Sequence, residues 1–339
     1  MEPSYATGLV WFRRDLRALD HAALYHALTQ CQQVHCVFVF DTDILAPLPR
    51  ADRRVEFIRE SLVELDTHLR ELSDHAQGGL IVLHAAAVDA VPQLAQALGA
   101  NAVFTNHDDE PQALQRDNAV RTQLARNGVA MHTYKDHTVL ERDEVLTQSG
   151  TPYSVFTPYK NAWLRKINAF FLKSYPVERH AHRRAPRPPE HTRPVPTLGA
   201  IGFEQSTLGQ LKLPTGSRGA QQLFDDFLQR IERYEETRNF PAVKGPSYLS
   251  VHLRFGTISP RLLARTAHAL AQQGNPGAAT WLNELIWRDF YFQILYHHPH
   301  VAERSFKPAY DAIAWEQGDT AQALFKAWCD GQTGYPLVD

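Results

Sequence analysis

The sequence is poor in cysteine. Its three cysteines, Cys31, Cys36 and Cys329, cannot build a disulfide framework, and an odd count suits a reducing, cytoplasmic location. Cys31 and Cys36 flank His35, but no second pair completes a zinc ligand set, so they read as buried thiols in or near a strand. Charge of either sign is also scarce in excess. A formal net charge of −2 argues against a uniformly basic nucleic-acid coat while leaving room for a local basic groove. No window approaches the roughly 18–20 apolar residues of a membrane span, so no membrane partner is expected. Met1-Glu2-Pro3-Ser4-Tyr5 has neither the basic nor the apolar region of a signal peptide.

Familiar catalytic signatures are missing as well. There is no G-x-x-x-x-G-K-[ST], no G-x-G-x-x-G after the first strand, no G-x-S-x-G and no H-E-x-x-H. These absences speak against a P-loop nucleotidase, a dinucleotide-binding dehydrogenase, an α/β-hydrolase and a zinc protease. His297, His298 and His300 cluster beyond a helix end, which is not metal-ligand spacing.

What is present falls into regions. At 339 residues, with 44% apolar and 21% charged residues, the chain is that of a globular protein of about two domains. Over residues 1–140, short Val/Ile/Phe-rich runs alternate with amphipathic ones. Strands are predicted at Leu9–Phe12, His35–Phe40, Leu80–His84, Ala102–Asn106 and Met131–Tyr134. Helices are predicted at His21–Leu28, Arg53–Leu72, Val88–Leu98 and Pro111–Asn127. This rhythm predicts an α/β parallel-sheet, Rossmann-like domain.

Residues 141–207 read as an interdomain linker. Nine Lys/Arg against two Glu lie between Lys160 and Arg193, and six prolines fall between Pro176 and Pro196. Proline blocks helix, so the stretch reads as a solvated surface connection whose basic charge could touch nucleic acid. Residues 208–339 are predicted to be all-helical. Leu223, Phe224, Phe227, Leu228, Ile231 and Tyr234 recur at helical spacing, Ser259-Pro260 has the form of a helix start, and Trp281–Tyr296 is a second strong helix.

Three segments carry chemistry. Arg13, Arg14, Asp15 and Arg17 leave the first strand where a parallel sheet presents its ligand crevice; they could face an anion or another domain, or form an internal ion-pair network. The stretch Gly245–Ser250 and then Phe255–Pro260 sets small hydroxyl residues beside a helix start, where they could offer hydroxyls and N–H groups to a phosphate or serve only as helix caps. Trp281, Glu284, Arg288 and Tyr291 share one helical face, with Trp287 beside it. Aromatics stack on bases and a carboxylate accepts from a base edge, although a Trp-rich core helix with a Glu–Arg pair has the same pattern.

The segments WFRRDLRALDHAAL (11–24), FVFDTDIL (38–45), PYSVFTPYKNAWL (152–164), NFPAVKGPSYLSVHLRFGTIS (239–259), WLNELIWRDFY (281–291) and TGYPLVD (333–339) together decide between these readings. With them the chain resembles the photolyase/cryptochrome family, most of all the class I bacterial cyclobutane pyrimidine dimer photolyases. The resemblance implies an α/β antenna domain followed by a helical FAD-binding domain. It also implies light-driven repair of UV-damaged DNA by an electron from reduced FAD. A cryptochrome-like photoreceptor without repair is the alternative, and a flavin-free nucleotide-binding remnant a third.

By the same resemblance, Tyr234 and the loop Pro246, Ser247, Tyr248, Leu249 and Ser250 match the segment holding FAD ribose and phosphates. Pro246 replaces the usual Thr, which removes one hydroxyl and one N–H. Trp281 and Arg288 match flavin-site residues. Glu284 matches the carboxylate that bonds the dimer's base edge, and Trp287 the aromatic wall on which the dimer packs. Arg238 matches a DNA-contacting arginine. Glu284, Leu285, Ile286, Trp287, Arg288, Asp289, Phe290 and Tyr291 match the lesion-contacting helix, and Trp315 the solvent-end tryptophan of an electron-transfer chain. A second, antenna chromophore of folate or deazaflavin type is possible. Gln112 and Ala113 stand where folate-binding members carry Asn-Glu, so the folate carboxylate is missing. The family continues past TGYPLVD, so the helical domain is expected to be incomplete and the chain a fragment. A monomer is expected.

Overall fold

The computed structural model describes residues 3–73 and 78–339. Strand β1 (Tyr5–Phe12) is followed by helix α1 (Ala22–Gln30), β2 (Cys31–Asp41), α2 (Thr42–Leu45), α3 (Arg53–Glu71) and β3 (Ile81–Ala85). Then come α4 (Ala87–Ala97), β4 (Ala102–Asn106), α5 (Pro111–Arg126) and β5 (Ala130–Tyr134). The strands form one parallel sheet in the order β3-β2-β1-β4-β5. A parallel sheet is covered on both faces, so its central strands read as continuous apolar runs. Val10, Phe12, Phe38 and Phe104 point to the α1/α3 side, while Leu9, Trp11, Val37 and Val103 point to the α4/α5 side. The Rossmann-like sheet expected from the sequence is therefore observed. Strands β1 and β2 begin earlier than their apolar runs, because Cys31 caps α1 and opens β2 with no intervening loop.

The two buried cysteines sit in β2. Burial pushes the Cys31 thiol up to about 12, which leaves it protonated and inert.

Beyond the sheet come α6 (Phe156–Lys166), α7 (Ala169–Leu172), a run of 3₁₀ turns, α8 (Gly216–Leu228) and α9 (Tyr234–Thr237). Next are α10 (Ser250–Phe255), α11 (Pro260–Gln272) and α12 (Pro276–His297). The basic, proline-rich stretch departs from the solvated connection its composition predicts. Arg184 and Arg187 are buried. Arg184 donates to Cys36 Sγ and the Gly78 carbonyl, and Arg187 to the Leu80 carbonyl at 3.1 Å. With Val177, Ala181, Ala185 and Val195 also buried, the segment closes over the sheet. Proline removes donors there, and the arginines satisfy the carbonyls left open.

The helices dock on the carboxyl ends of the strands through the loop after β1. Leu16 N–H donates to the Phe255 carbonyl at 3.0 Å. Gly256 follows with φ +64°, and a Cβ there would collide with the Arg14 carbonyl and Asp15 Cα. Only glycine suits both the left-handed turn and the close approach. The buried Asp136 accepts from Arg17 at 2.5 Å and from Arg261 of α11 at 2.8 Å, and its carboxyl is held far below the usual range by the two guanidinium groups against its burial.

The chain divides into two compact units, one ending at His297 and one spanning His298–Asp339. The second carries two 3₁₀ turns and helix α13 (Asp319–Cys329). Within it, the Asp339 carboxylate accepts from Thr333 N at 2.8 Å and Gly334 N at 2.8 Å. Trp315, Phe325, Trp328, Tyr335 and Leu337 are exposed. Among the described residues no helix is long and apolar enough to cross a membrane.

Candidate functional site

Helix α12 is the spine of the site. Asn275 Oδ1 accepts from Ala278 N at 2.8 Å and Pro276 opens the helix, a cap and a pre-set φ at its start. Gly277 lies so close to the Ile231 carbonyl that a Cβ would overlap it, which seats the first turn against the segment leading into α9.

Of residues 281–291, Trp281, Leu282, Leu285, Ile286, Asp289 and Phe290 are buried; Asn283, Glu284, Trp287, Arg288 and Tyr291 keep exposed surface. Leu285, Ile286, Asp289 and Phe290, which the resemblance places on a lesion-contacting helix, thus turn their side chains into the core rather than to the surface. A helix shows one stripe outward, and here it runs through 284, 287 and 291 at steps of three and four.

Glu284 pairs with Arg238, Oε1 to Nη1, at 2.5 Å, rather than with Arg288. The hydrogen bond to Glu284 raises the Arg238 pKa above its ordinary value. Arg238 also lies 5.4 Å over the Tyr234 ring. Beneath them Trp281 packs on Phe224 and Phe227, the latter at 4.8 Å and 57°, and Tyr234 meets Phe227 edge-on at 5.6 Å. Burial raises the Tyr234 phenol. Tyr234, Arg238, Trp281 and Glu284 thus form one group, apolar below and charged at the surface.

The loop 245–250 joins this group through Arg230, a residue the sequence reading missed. Its Nη1 donates to the Gly245 and Pro246 carbonyls at 2.8 and 2.9 Å, and its Nη2 to Asp226 at 3.0 Å. Leu249 is buried, Tyr248 is half exposed with φ +57°, and Ser250 is exposed at the start of α10. No side chain caps that helix start, and the exposed Ser250 hydroxyl stands beside its uncapped first turn. Such donors suit a phosphate.

The rest of the stretch has partners of its own. Trp287 stacks on Phe156 with ring centroids 3.6 Å apart and planes at 7°, and on Tyr291 at 5.5 Å and 22°. Arg288 donates to the His137 carbonyl and, at 3.3 Å, to the Leu253 carbonyl, and burial pushes it down to about 10. Asp289 Oδ2 accepts from Val139 N, Leu140 N and Trp163 Nε1 at 3.1, 3.1 and 3.0 Å. Arg288 and Asp289 therefore lock α12 to the loop after β5 and to α6. Phe156, Tyr159 and Trp163 escaped the sequence reading as site-forming residues, although their spacing of three and four is that of one helical face.

The arginines after β1 take the internal network open to them. Arg13 pairs with Asp117 at 2.5 Å, and Arg14 with Asp108 at 3.1 Å and Glu110 at 2.7 Å. Asp15 pairs with His21 at 3.1 Å. Trp315 lies in the second unit and is 74% exposed.

Comparison with known proteins covers most of the chain. Residues 8–182 match the family profile described as DNA photolyase, and residues 281–339 match that of the FAD binding domain of DNA photolyase. The chain is 34% identical to the deoxyribodipyrimidine photo-lyase of Synechococcus, over 98% of this chain and 68% of that protein. Among solved structures it is similar to the Sulfolobus tokodaii archaeal photolyase with two FAD molecules, at TM-score 0.73 and 28% identity over 98% of this chain and 68% of that one. The Synechocystis cryptochrome has the same fold, at TM-score 0.78 and 21% identity over 100% of this chain and 70% of that one.

Proposed function

The chain belongs to the DNA photolyase family, and on that premise we propose that it repairs cyclobutane pyrimidine dimers in DNA by light-driven electron transfer, with FAD as cofactor. One observation carries the reading: Glu284 and Trp287 lie one helical turn apart on the exposed stripe of α12, a carboxylate beside a flat ring. A dimer flipped out of the stack offers the complements, N–H donors on its base edges and an apolar saturated ring. Glu284 accepts from the base edge, and Arg238 holds that carboxylate in place. Trp287 supplies the surface on which the lesion packs. Arg238 and Tyr291 meet the surrounding strand.

The donor set at 247–250 fits the phosphate end of FAD, which Ser247, Ser250 and the first N–H groups of α10 would hold, with Tyr234 at the ribose. Trp281 supplies an apolar floor. FAD, when bound, supplies an electron under light and recovers it, so that the two carbon–carbon bonds joining the pyrimidines open without net redox change. Arg288 acts through the His137 and Leu253 carbonyls by fixing the helix that carries Glu284 and Trp287. Trp315, exposed, is the proposed solvent-end member of an electron path. Ala113, buried in α5, offers no carboxylate to a folate, so the reading carries no folate antenna and leaves a deazaflavin, another chromophore or none at that place.

The test is irradiation of a dimer-containing oligonucleotide with the reduced, FAD-loaded protein under near-UV or blue light, counting restored thymines. Restoration that requires light supports the reading. A FAD-loaded protein that restores none overturns it, and light signalling without repair then takes its place.

A further inference from the structure

Segment 152–164 has no part in the function so far, yet its aromatic residues line α12. Tyr159 and Trp163 are fully buried, the first against Phe290 at 5.2 Å, the second bonded to Asp289. Phe156, at the start of α6, continues the same stripe but keeps exposed surface. Its ring lies flat on the Trp287 indole at 3.6 Å and 7°, and edge-on to Phe290 at 5.9 Å. Tyr291 adds a third ring to Trp287 at 5.5 Å and is 61% exposed. Phe156 and Tyr291 share no ring contact among the described residues, so Trp287 is the middle member of the set.

An indole on an exposed helix face otherwise has free choice of rotamer, and ordering it on binding costs affinity. A ring stacked face to face removes that freedom beforehand. The stack is anchored, because α6 is tied to α12 at Trp163–Asp289 two turns further on.

Resting on the reading that the lesion packs against Trp287, we propose that Phe156 is a positioning residue for damaged-base recognition: it covers one face of the Trp287 indole and fixes its plane, so that the part of Trp287 left open and the exposed Tyr291 ring are held ready for a flipped-out pyrimidine dimer. Phe156 acts through Trp287 and carries no charge. Its contribution is to discrimination between damaged and undamaged DNA rather than to general affinity, which rests on phosphate contacts.

The experiment measures dissociation constants of the full chain, FAD-loaded, for a dimer-containing oligonucleotide and its undamaged twin. The proteins are the parent, Phe156→Ala, Phe156→Leu, Phe156→Tyr and Trp287→Ala. The ratio of the two constants should fall about threefold to tenfold in Phe156→Ala, the range one aromatic stack is worth. Affinity for the undamaged twin should hold within about twofold in the same comparison. Phe156→Leu, which keeps bulk and loses the ring, should behave as Phe156→Ala and serves if the alanine variant does not fold. Phe156→Tyr should restore the ratio. An unchanged ratio in Phe156→Ala and Phe156→Leu overturns the proposal, as does equal loss toward both oligonucleotides. If Trp287→Ala leaves the ratio unchanged, the reading of Trp287 itself has failed and the proposal falls with it; if Trp287→Ala lowers the ratio and the Phe156 variants do not, only the proposal fails.

Discussion

Asp289 accepts the indole N–H of Trp163 at 3.0 Å, a bond that joins two helices 126 residues apart in sequence. The same oxygen takes the N–H groups of Val139 and Leu140, so one carboxylate gathers α12, α6 and the loop after β5. Burial pushes this carboxyl up to about 6, against the pull of the Leu140 N–H, the Trp163 indole, Arg288 and the Val139 N–H.

A raised folded-state pKa gives the sign of the pH effect. The folded protein binds the proton more tightly than the unfolded chain, so this contribution is full below the unfolded value and is lost as pH rises through about 6. Asp289→Asn cannot titrate but keeps a carbonyl acceptor. The stability of Asp289→Asn relative to the parent should therefore improve between pH 4 and 6, by roughly 2–3 kcal/mol at most. Urea unfolding of both proteins at pH 4, 5, 6 and 7 checks this; parallel pH profiles would show that the carboxyl does not titrate there.

Glu284→Ala should lower the yield of light-driven repair by roughly tenfold or more, the loss of one strong hydrogen bond to the reacting group. Flavin absorbance should stay nearly unchanged, since Glu284 lies on the exposed stripe and not in the 247–250 loop. Repair assays beside absorbance spectra of the purified variant decide it. Loss of the flavin would show that Glu284 serves the cofactor.

Gly256→Ala should destabilise by about 2 kcal/mol or more, because φ +64° is costly for alanine and its Cβ would meet the Arg14 backbone. That contact seats α10 on the loop after β1. Thermal unfolding should show a lowered midpoint, while Gly274→Ala, with φ +88° but no atom near its Cβ, should cost less. Equal losses in the two variants would mean that backbone conformation alone matters at Gly256.

Thiol reagents should find one of the three cysteines in the native protein. Cys329 is exposed, whereas Cys31 and Cys36 are buried and burial raises both thiols. One equivalent should react before denaturation and three after. Rapid reaction of a second thiol in the native state would show that β2 opens readily.

Periodicity carried the fold a long way. Parallel strands buried on both faces are short, apolar and free of polar alternation, so the β1, β2 and β4 cores stood out of the sequence. The starts of β1 and β2 did not, because Tyr5, Gln32 and Gln33 are polar residues at partly open strand ends. Segment 160–193 misled for a related reason. Composition counts arginines without knowing which carbonyls need them, and Arg184 and Arg187 were turned inward by Gly78 and Leu80, about a hundred residues away.

The site divides in the same manner. The sequence by itself determined which residue types share the face of α12, because a turn of 3.6 residues follows from local geometry alone. It also supplied the family resemblance, which rests on order and identity along the chain. Only the tertiary structure decided which of those residues face water, that Glu284 pairs with Arg238 and not with Arg288, and that Phe156 lies on Trp287. Helix pitch is set by neighbours three and four residues apart, whereas partners across helices are set by packing between segments whose separation no local pattern encodes.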